Sequence, residues 1–453
     1  MLALAGATLA LGSCARGRTA AAPPAAEPEP VDRARPVPVE PSPSAKPSPP
    51  PDPAISPSAP SSVPPARPAR SPEPQVRVGL AVGASSATIG GTVPLSVTDP
   101  AGSALARIPA GESWRVLVSG TGLVLLTSGG VTTAPAEALG AAAASATDPV
   151  WVNGRPYRGV VEVFRDRTGL TVVNRLGLEA YLQGVVSAEM GRRNLAEREA
   201  LRAQAVISRT YALRNLRRWA TDGFDFNASV AAQVYGGVEA ETPEALRAVA
   251  ATHGQVLTYG GAPIDAFFYS TCGGRTAHGT EVFRAADRPY LRSLSDAAED
   301  GTAYCSISPR YRWRENWTGD ALRATLQRTL PVETGVPAAQ VGEVRDVRVA
   351  YRTPSGRVGQ LAIALGESGV QVNGPAVRRV LRSAAGELLR SNTFNLTVTG
   401  AGRRVTRLVA QGSGAGHGVG LCQWGAVGRS RAGHDYRRIV AAYYPGTTLE
   451  RLY

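Results

Sequence analysis

Between residues 75 and 173 the chain alternates apolar and polar positions with a period of two, and clusters of glycine and serine bound each alternating segment. This pattern is typical of β-strands, whose successive side chains point to opposite faces. The alternating segments are residues 76–80, 114–118, 123–126, 150–152, 159–164 and 170–173. Small residues at 140–147 interrupt the pattern and indicate a break between elements. We therefore expect a small β-rich domain over residues 75–148.

The period then becomes helical. Leu178, Leu182, Val185, Val186 and Glu189 follow the spacing of one helix face, so the carboxyl of Glu189 continues an apolar stripe. A carboxyl in such a position is partly desolvated, which raises its pKa and suits it to act as a general acid. The alternative is that the stripe ends at Val186 and that Glu189 is an ordinary solvated residue of the last turn.

A second helix is predicted over residues 200–219. It is preceded by Asn194 and Glu197, which have the spacing of a capping box. Arg209 shares one side of this helix with small apolar residues, where a guanidinium must be paired to be tolerated. The adjacent side carries a row of hydrogen-bonding groups that suits a sugar surface, namely Gln204, Ser208 and Tyr211. A core helix with one snorkelling arginine explains Arg209 but not this polar row.

Composition separates the N-terminal residues from the rest. Of the 35 prolines, 20 lie between Pro23 and Pro74, and this stretch has few aromatic or β-branched residues to bury. We expect residues 15–74 to form a disordered tether. Before it, an apolar segment over residues 1–10 leads into Leu11-Gly12-Ser13-Cys14, which resembles the lipobox of a bacterial lipoprotein signal peptide. Residues 1–14 are therefore expected to direct export and lipidation of Cys14; the alternative is an apolar N-terminus with a stray cysteine.

The net charge of +13 narrows the choice of partner. Nearly all of the positive charge is arginine, and the arginines are scattered instead of forming tracts, which argues against nucleic acid. An anionic polymer such as cell wall fits the same charge. No apolar run reaches the ~18 residues of a membrane-spanning helix, which excludes an integral membrane protein. These features predict an extracytoplasmic protein of the bacterial envelope that is held to the membrane by a lipid anchor.

Five ordered segments carry a resemblance to a known family. They are residues 181–190 (YLQGVVSAEM), 200–213 (ALRAQAVISRTYAL), 233–237 (QVYGG), 268–276 (FYSTCGGRT) and 416–426 (GHGVGLCQWGA). Together they resemble the stage II sporulation protein D and amidase enhancer family from about residue 151 to residue 453. The chain departs from the usual family pattern in having Gly191 in place of proline and Arg202 in place of lysine.

The resemblance implies a lytic transglycosylase that cleaves peptidoglycan glycan strands from which stem peptides have been removed. It assigns the catalytic acid and base to Glu189 and requires no cofactor and no second carboxyl. By position it implies that the cleft walls are formed by Gln204, Arg209, Tyr211, Gln233, Tyr235, Ser270, Thr271, His417, Gln423 and Trp424. The alternative within the family is a non-catalytic module that binds peptidoglycan and stimulates a cell-wall amidase, for which Glu189 is dispensable.

Three cysteines follow Cys14, an odd number that intrachain disulfides cannot use completely. Cys272, Cys305 and Cys422 together with His278 match the Cys3His ligation of a structural zinc site, and the resemblance favours zinc because some relatives carry it in this region. Outside the cytoplasm, however, a Cys272–Cys305 disulfide with a buried free Cys422 is the default.

These observations together predict an α+β protein. We expect the β-rich N-terminal domain to be followed by a catalytic domain over residues 149–453 with two central helices and antiparallel β layers.

Overall fold

The computed structural model describes residues 71–229, 232–283 and 287–453, and these belong to one compact unit. The expected signal peptide, with Cys14, lies outside the described residues, as does the expected tether up to residue 70. The last residues of the expected tether are part of the fold. The carboxylate of Glu73 accepts a hydrogen bond from the backbone N–H of Glu179 at 2.8 Å. This contact satisfies one of the free N–H groups at the start of a helix.

The described residues contain both helices and antiparallel strands, which confirms the predicted α+β class. The strands are β1 (Gln75–Ala84), β2 (Ser86–Gly90), β3 (Leu95–Thr98), β4 (Ala104–Ile108), β5 (Ser113–Ser119), β6 (Gly122–Leu126), β7 (Ala138–Ala143), β8 (Val150–Val152), β9 (Arg155–Tyr157), β10 (Val160–Arg165), β11 (Leu170–Gly177), β12 (Phe226–Asn227), β13 (Gln255–Tyr259), β14 (Ala262–Pro263), β15 (Phe268–Tyr269), β16 (Arg312–Thr318), β17 (Val344–Arg352), β18 (Val358–Leu365), β19 (Ser368–Asn373), β20 (Phe394–Ala401), β21 (Arg404–Ser413), β22 (Leu421–Cys422) and β23 (Thr448–Arg451). The helices are α1 (Leu178–Met190), α2 (Arg198–Arg214), α3 (Pro243–Ala251), α4 (Gly319–Thr334), α5 (Ala376–Val380), α6 (Gln423–Arg431) and α7 (Tyr436–Tyr443). No described helix combines the length and the apolar character needed to cross a bilayer.

Two sheets occupy the N-terminal part. The larger has the strand order β12-β1-β11-β10-β7-β3-β4, and the smaller has the order β6-β5-β2-β8-β9. Each of the alternating segments noted in the sequence lies within or overlaps a strand. The break expected at residues 140–147 is partly wrong, because β7 runs through Ala143 and pairs with both β10 and β3. Strands from both sides of residue 148 pair in both sheets, so the β-rich residues 75–148 are continuous with those that follow.

The first two helices arise as their periodicity predicts. The apolar stripe of α1 is buried, and the helix ends at Gly191, which has a φ of 67°. A capping box formed by Asn194 and Glu197 precedes α2, as predicted. The prediction that α2 continues to residue 219 is wrong. It stops at Arg214: the backbone N–H of Asn215 makes the last helical bonds, to the carbonyls of Tyr211 and Ala212, and Arg217 then adopts a φ of 65°, outside the right-handed helical range.

The buried apolar side chains divide into two clusters. The first joins both N-terminal sheets to α1, α2, α3, α6 and α7 and extends to Tyr453. The second, hereafter the second core, runs from Trp313 to Ala410 and packs α4 and α5 on two three-stranded sheets, β16-β21-β20 and β17-β18-β19. The sequence predicts one domain over residues 149–453 and carries no signal of this separate core. The chain leaves the first cluster after residue 311 and returns at the glycine-rich loop over residues 414–420.

Candidate functional site

A cleft of about 1150 Å³ opens where α1 and α2 end and α6 begins. Its other walls come from the loops around residues 265–270, 309–310 and 416–417 and from one side chain of the second core, Arg378. The expected site residues on its surface are Glu189, Tyr211, Ser270, His417, Gln423 and Trp424. Because these residues come from four distant parts of the chain, the fold brings together side chains that share no local sequence pattern.

Glu189 lies in the last turn of α1, where the apolar stripe meets the cleft. Burial raises the pKa of its carboxyl, although the hydrogen bond from the backbone N–H of Val234 and the nearby side-chain amide of Gln423 act in the opposite direction. The Val234 bond is 2.8 Å long, whereas the Gln423 Nε2 faces the carboxyl without reaching normal hydrogen-bond geometry. The described parts of the chain contribute no ion-pair partner to Glu189. This carboxyl therefore keeps its proton to a higher pH than a solvated glutamate does, as a general acid requires.

Asp265 is a second carboxyl in the cleft wall, and its environment is different. Its oxygens lie 3.0 Å from Arg214 and 3.0 Å from Arg288. Burial opposes ionisation of Asp265, but the two arginines outweigh it and lower the pKa. Asp265 is therefore held as a charged carboxylate, and its pairing with two arginines leaves it unsuited to act as a nucleophile.

Five arginines line the cleft, and none of them is among the site residues predicted from the sequence. They are Arg193, Arg218, Arg288, Arg310 and Arg378. The guanidinium of Arg193 stacks on the ring of Trp424 at 4.4 Å, and that of Arg218 approaches the hydroxyl of Tyr211 at 3.4 Å. With Glu189 and Asp265 as the described carboxyls of the lining, the cleft has an excess of positive charge.

Part of this arginine set has a sequence signal. On the helix predicted over residues 200–219, Asn215 and Arg218 share the face of Tyr211, so Tyr211 could have indicated both residues even though the structure ends α2 at Arg214. Arg378 has no such signal, since it belongs to α5 of the second core.

His417 forms part of the cleft wall as a neutral side chain. Burial lowers its pKa to about 4. Its Nδ1 accepts a hydrogen bond from the backbone N–H of Val419 at 3.1 Å, so its Nε2 carries the proton and donates to the carbonyl of Phe268 at 2.9 Å. Both ring nitrogens are occupied by the backbone. The ring therefore fastens the glycine-rich loop to β15 and is not free to exchange protons with a substrate.

Four expected wall residues instead lie beneath the surface of the cleft. Gln204 donates to Ser208, Tyr235 donates to Asn174, and the hydroxyls of Thr271 and Ser308 are hydrogen-bonded to each other. Gln233 accepts from Tyr181 at 3.2 Å. Gln233 and Tyr235 flank Val234, and their buried bonds hold the backbone N–H that contacts Glu189. Gln233 and Tyr235 therefore position that N–H, whereas the resemblance implies that they contact the ligand.

Arg209 is also buried away from the cleft, contrary to the expectation. Its guanidinium forms a two-pronged ion pair with Glu179, with both N–O distances 2.7 Å. Glu179 also accepts from the hydroxyl of Tyr453 at 2.6 Å and from the N–H of Gly254 at 3.2 Å. Arg209 therefore has the ion-pair partner that its position on an apolar face predicts. The partner is Glu179, and the pair links α1 and α2 to Tyr453, so the guanidinium is not available to Glu189.

Three thiols and one carboxylate meet behind the α6 wall. Cys272, Asp296, Cys305 and Cys422 are all buried, and one potential ligand atom from each lies within 4.8 Å of all the others. The Cys272 and Cys305 sulfurs are 3.3 Å apart, and each of the three cysteines is a free thiol, so the alternative of a Cys272–Cys305 disulfide is absent from the described structure. We refer to these four residues as the Cys3Asp cluster.

His278 does not belong to this cluster, so the expected Cys3His set is wrong in its fourth member. The His278 ring instead lies 2.8 Å from the hydroxyl of Thr280 through Nδ1. Asp296 takes the fourth position. The spacing of cysteines and histidines in the sequence does not point to Asp296, because a tertiary contact positions it. Its backbone N–H donates a hydrogen bond to the carbonyl of Gly274 at 2.9 Å.

The thiols of the cluster share a strongly perturbed environment. Hydrogen bonds from Cys272 and Cys422 lower the pKa of Cys305 to about 3. Burial raises the pKa of both Cys272 and Cys422 well above the usual range. The group therefore favours one thiolate stabilised by two neutral thiols, and a cation is needed to ionise all three together.

Comparisons with known protein families match two parts of the chain, each of which contributes some of the cleft residues. A family model described as stage II sporulation protein matches residues 166–259, which include Glu189 and the whole of α1 and α2. A second model, described as a domain of unknown function, matches residues 299–420. This second match encloses the second core.

Individual relatives cover a similar part of the chain. A stage II sporulation protein D of Bacillus subtilis is 31% identical over 300 residues, which are 62% of this chain and 77% of the relative. An uncharacterised protein of Brachyspira hyodysenteriae is 29% identical over 304 residues, 67% of this chain and 74% of the relative. An amidase enhancer of Bacillus subtilis is 26% identical over 274 residues, 55% of this chain and 38% of the relative.

Proposed function

Because the chain belongs to the stage II sporulation protein D (SpoIID) family, we propose that it acts on the bacterial cell wall as a lytic transglycosylase of peptidoglycan glycan strands. Glu189 is the general acid and base in this proposal. The observation that carries it is the state of Glu189, a partly buried carboxyl with a raised pKa and no ion-pair partner in the described residues, in the wall of a large cleft.

The first step uses Glu189 in its protonated form. It donates a proton to the glycosidic oxygen as the bond from that oxygen to the anomeric carbon of the muramic acid breaks. Burial favours this step because it keeps the carboxyl protonated at a higher pH than a solvated glutamate allows.

The second step uses the carboxylate that remains. It takes the proton from the 6-hydroxyl of the same sugar while that oxygen bonds to the anomeric carbon, which yields a 1,6-anhydro product and restores protonated Glu189. The Val234 N–H, 2.8 Å away, stabilises the carboxylate between the two steps. One carboxyl serves both steps. This agrees with a cleft whose other described carboxyl, Asp265, is held by two arginines.

The charge of the cleft supports a denuded glycan as the substrate. Removal of a stem peptide leaves a free lactyl carboxylate on each muramic acid, so the denuded strand is a regular polyanion. The guanidinium groups of the cleft, among them Arg310 and Arg378, are matched to carboxylates in geometry and charge. Tyr211 and Trp424 add aromatic surface of the kind on which sugar rings stack.

The proposed location is the outer face of a membrane in the cell envelope. Acylation at Cys14 provides the anchor, and the proline-rich residues 15–70 let the cleft reach the wall. Both features lie outside the described residues. Labelling of expressing cells with a radioactive or alkynyl fatty acid tests the anchor, since label incorporation is expected in the wild type and absent in Cys14→Ala.

The activity is tested with the full-length chain. Wild type, Glu189→Gln and the partly exposed control Glu244→Gln, which lies outside the cleft, are incubated with peptidoglycan with and without prior amidase treatment, and soluble products are identified by mass spectrometry. We expect 1,6-anhydro-muramic products from amidase-treated strands with the wild type and with Glu244→Gln, and none with Glu189→Gln. Equal product yields from all three proteins would refute the role of Glu189.

The name of one relative, amidase enhancer, favours a second candidate function. In that case the same cleft binds denuded glycan and recruits or stimulates an amidase without cutting the strand. Amidase assays with added wild type or Glu189→Gln separate the two functions. Stimulation that is equal with both proteins, in the absence of anhydro products, supports the enhancer and contradicts the transglycosylase.

A further inference from the structure

The Cys3Asp cluster is the most concentrated group of potential metal ligands among the described residues that the proposed reaction leaves unused. We propose that it binds one zinc ion through the sulfurs of Cys272, Cys305 and Cys422 and one carboxylate oxygen of Asp296, and that this ion fixes the α6 wall of the cleft. The proposal replaces the Cys3His set with ligands that the fold itself brings together.

The geometry of the cluster fits a closed tetrahedral site. Zn–S bonds of ~2.3 Å place two sulfurs about 3.8 Å apart in a tetrahedron. The Cys272 sulfur lies 3.3 Å from the Cys305 sulfur and 3.2 Å from the Cys272-facing Oδ2 of Asp296, and no pair of ligand atoms is farther apart than 4.8 Å. Small side-chain movements therefore convert the cluster into a zinc site. Three soft thiolates with one carboxylate favour zinc over magnesium or calcium, which prefer oxygen ligands.

Groups around the cluster already orient the ligands. The sulfur of Cys272 accepts from the backbone N–H of Gly274 at 3.3 Å, and that of Cys422 accepts from Gly425 at 3.2 Å. The hydroxyl of Tyr443 lies 2.9 Å from each oxygen of Asp296. Such partners hold metal ligands in place and neutralise part of their charge.

A nearby cation reduces the negative charge of the proposed site. Three thiolates and one carboxylate exceed the charge of a divalent ion by two, and the guanidinium of Arg429 compensates part of this excess. It contacts Oδ1 of Asp296 at 3.0 Å, which leaves Oδ2 directed toward the sulfurs. The guanidinium is held in turn over the ring of Tyr304 at 4.3 Å.

The position of the cluster explains what the ion stabilises. Cys422 is the N-cap of α6, and the next two residues, Gln423 and Trp424, line the cleft. Cys272 follows β15, which pairs with β22, and Cys305 lies in a 3-10 turn over Tyr304–Ile307. An ion bound here ties these three segments and the segment that contains Asp296 together directly behind Gln423. The effect on Glu189 rests on the proposed function, whereas the metal site itself does not.

Metal content is the first test. The full-length chain with Cys14→Ala, so that only cluster thiols remain, is purified without chelator from zinc-supplemented medium and analysed by plasma mass spectrometry. We expect about one zinc per chain, retention in His278→Ala and loss in Cys305→Ser. Tyr443→Phe should weaken zinc binding by about 10–100-fold through the loss of its contact with Asp296. Absence of bound zinc, or loss of zinc in His278→Ala with retention in Cys305→Ser, overturns the proposal.

Two measurements on the unaltered cluster remain decisive if the variants do not fold. Cobalt substitution is expected to produce thiolate-to-cobalt charge-transfer absorption, and its absence excludes thiolate ligation. The three thiols are expected to react with a thiol reagent only after chelation or denaturation. Finding a single reactive thiol in the denatured, unreduced protein establishes a disulfide and overturns the zinc site.

Hydrogen exchange tests the positioning role. Removal of zinc should accelerate exchange of the α6 amides and leave α4, in the second core, unchanged. Unchanged exchange in α6 overturns the role of the ion in fixing the cleft wall. None of these measurements uses a substrate, so stoichiometric zinc in a protein that cuts no glycan retains the metal site and rejects the transglycosylase.

Discussion

The role of Arg209 can be tested by mutation. The resemblance places its guanidinium in the wall of the cleft, whereas the structure pairs it with Glu179 in the interior. Replacing Arg209 with methionine keeps much of the side-chain volume but removes both 2.7 Å contacts to Glu179. The Glu179 carboxylate then keeps only its bonds from Tyr453 and Gly254. Because an uncompensated charge remains in the interior, we expect the free energy of unfolding to fall by about 3–5 kcal/mol.

The assay is urea unfolding of the full-length chain followed by circular dichroism. The double variant Arg209→Met/Glu179→Gln should lose clearly less stability than the sum of the single variants, since glutamine keeps an acceptor for Tyr453 without the buried charge. Arg247→Met is the matched control on α3. The ion pair of Arg247 with Glu244 is exposed, so its loss is expected to cost about 0–1 kcal/mol.

Ligand binding separates the two assignments of Arg209. Well below the unfolding transition, Arg209→Met should bind denuded glycan as the wild type does. The reasoning is refuted if Arg209→Met unfolds at the wild-type urea concentration and yet binds denuded glycan more than tenfold more weakly. That result places the guanidinium at the ligand.

Three further predictions concern the cleft. Because burial raises the folded-state pKa of Glu189, the folded wild type loses stability as pH rises from the unfolded-state pKa of ~4.3 through the folded value. Thermal unfolding of Glu189→Gln should therefore occur at a higher temperature than that of wild type at neutral pH, and the difference should vanish below pH ~4; an equal shift at every pH contradicts this. For the same reason kcat/KM of the wild type should decrease as pH rises through the pKa of Glu189, and a flat profile in a chemistry-limited assay opposes the acid role. Arg310→Gln with Arg378→Gln should weaken glycan binding and reduce its dependence on salt, whereas glycan whose carboxylates have been amidated should bind both proteins alike; a salt dependence unchanged by the substitutions contradicts the role of these arginines.

Local periodicity accounts for the parts of the fold that were predicted correctly. The alternation in the N-terminal half specifies strands because one face of each must be buried, and the stripe of α1 specifies a helix that ends with Glu189 beside the cleft. The capping box at Asn194 and Glu197 is an equally local signal. By contrast, α2 ends early because the backbone turns after Arg214 and Arg217 adopts a φ of 65°. The spacing of apolar residues gives no signal for this turn.

The sequence by itself therefore determined the α+β class and the two central helices, because each depends on residues close together in the chain. Periodicity left the role of Glu189 open, and only the resemblance of five segments spread over residues 181–426 proposes it as the acid. Tertiary structure decided which polar groups share a space. It paired Arg209 with Glu179 across 30 residues, placed Arg378 of the second core in the cleft, and put Asp296 in place of His278 beside the three thiols. These contacts arise from the packing of distant segments. The energy that selects them comes from burying charges with their partners, which no local pattern encodes.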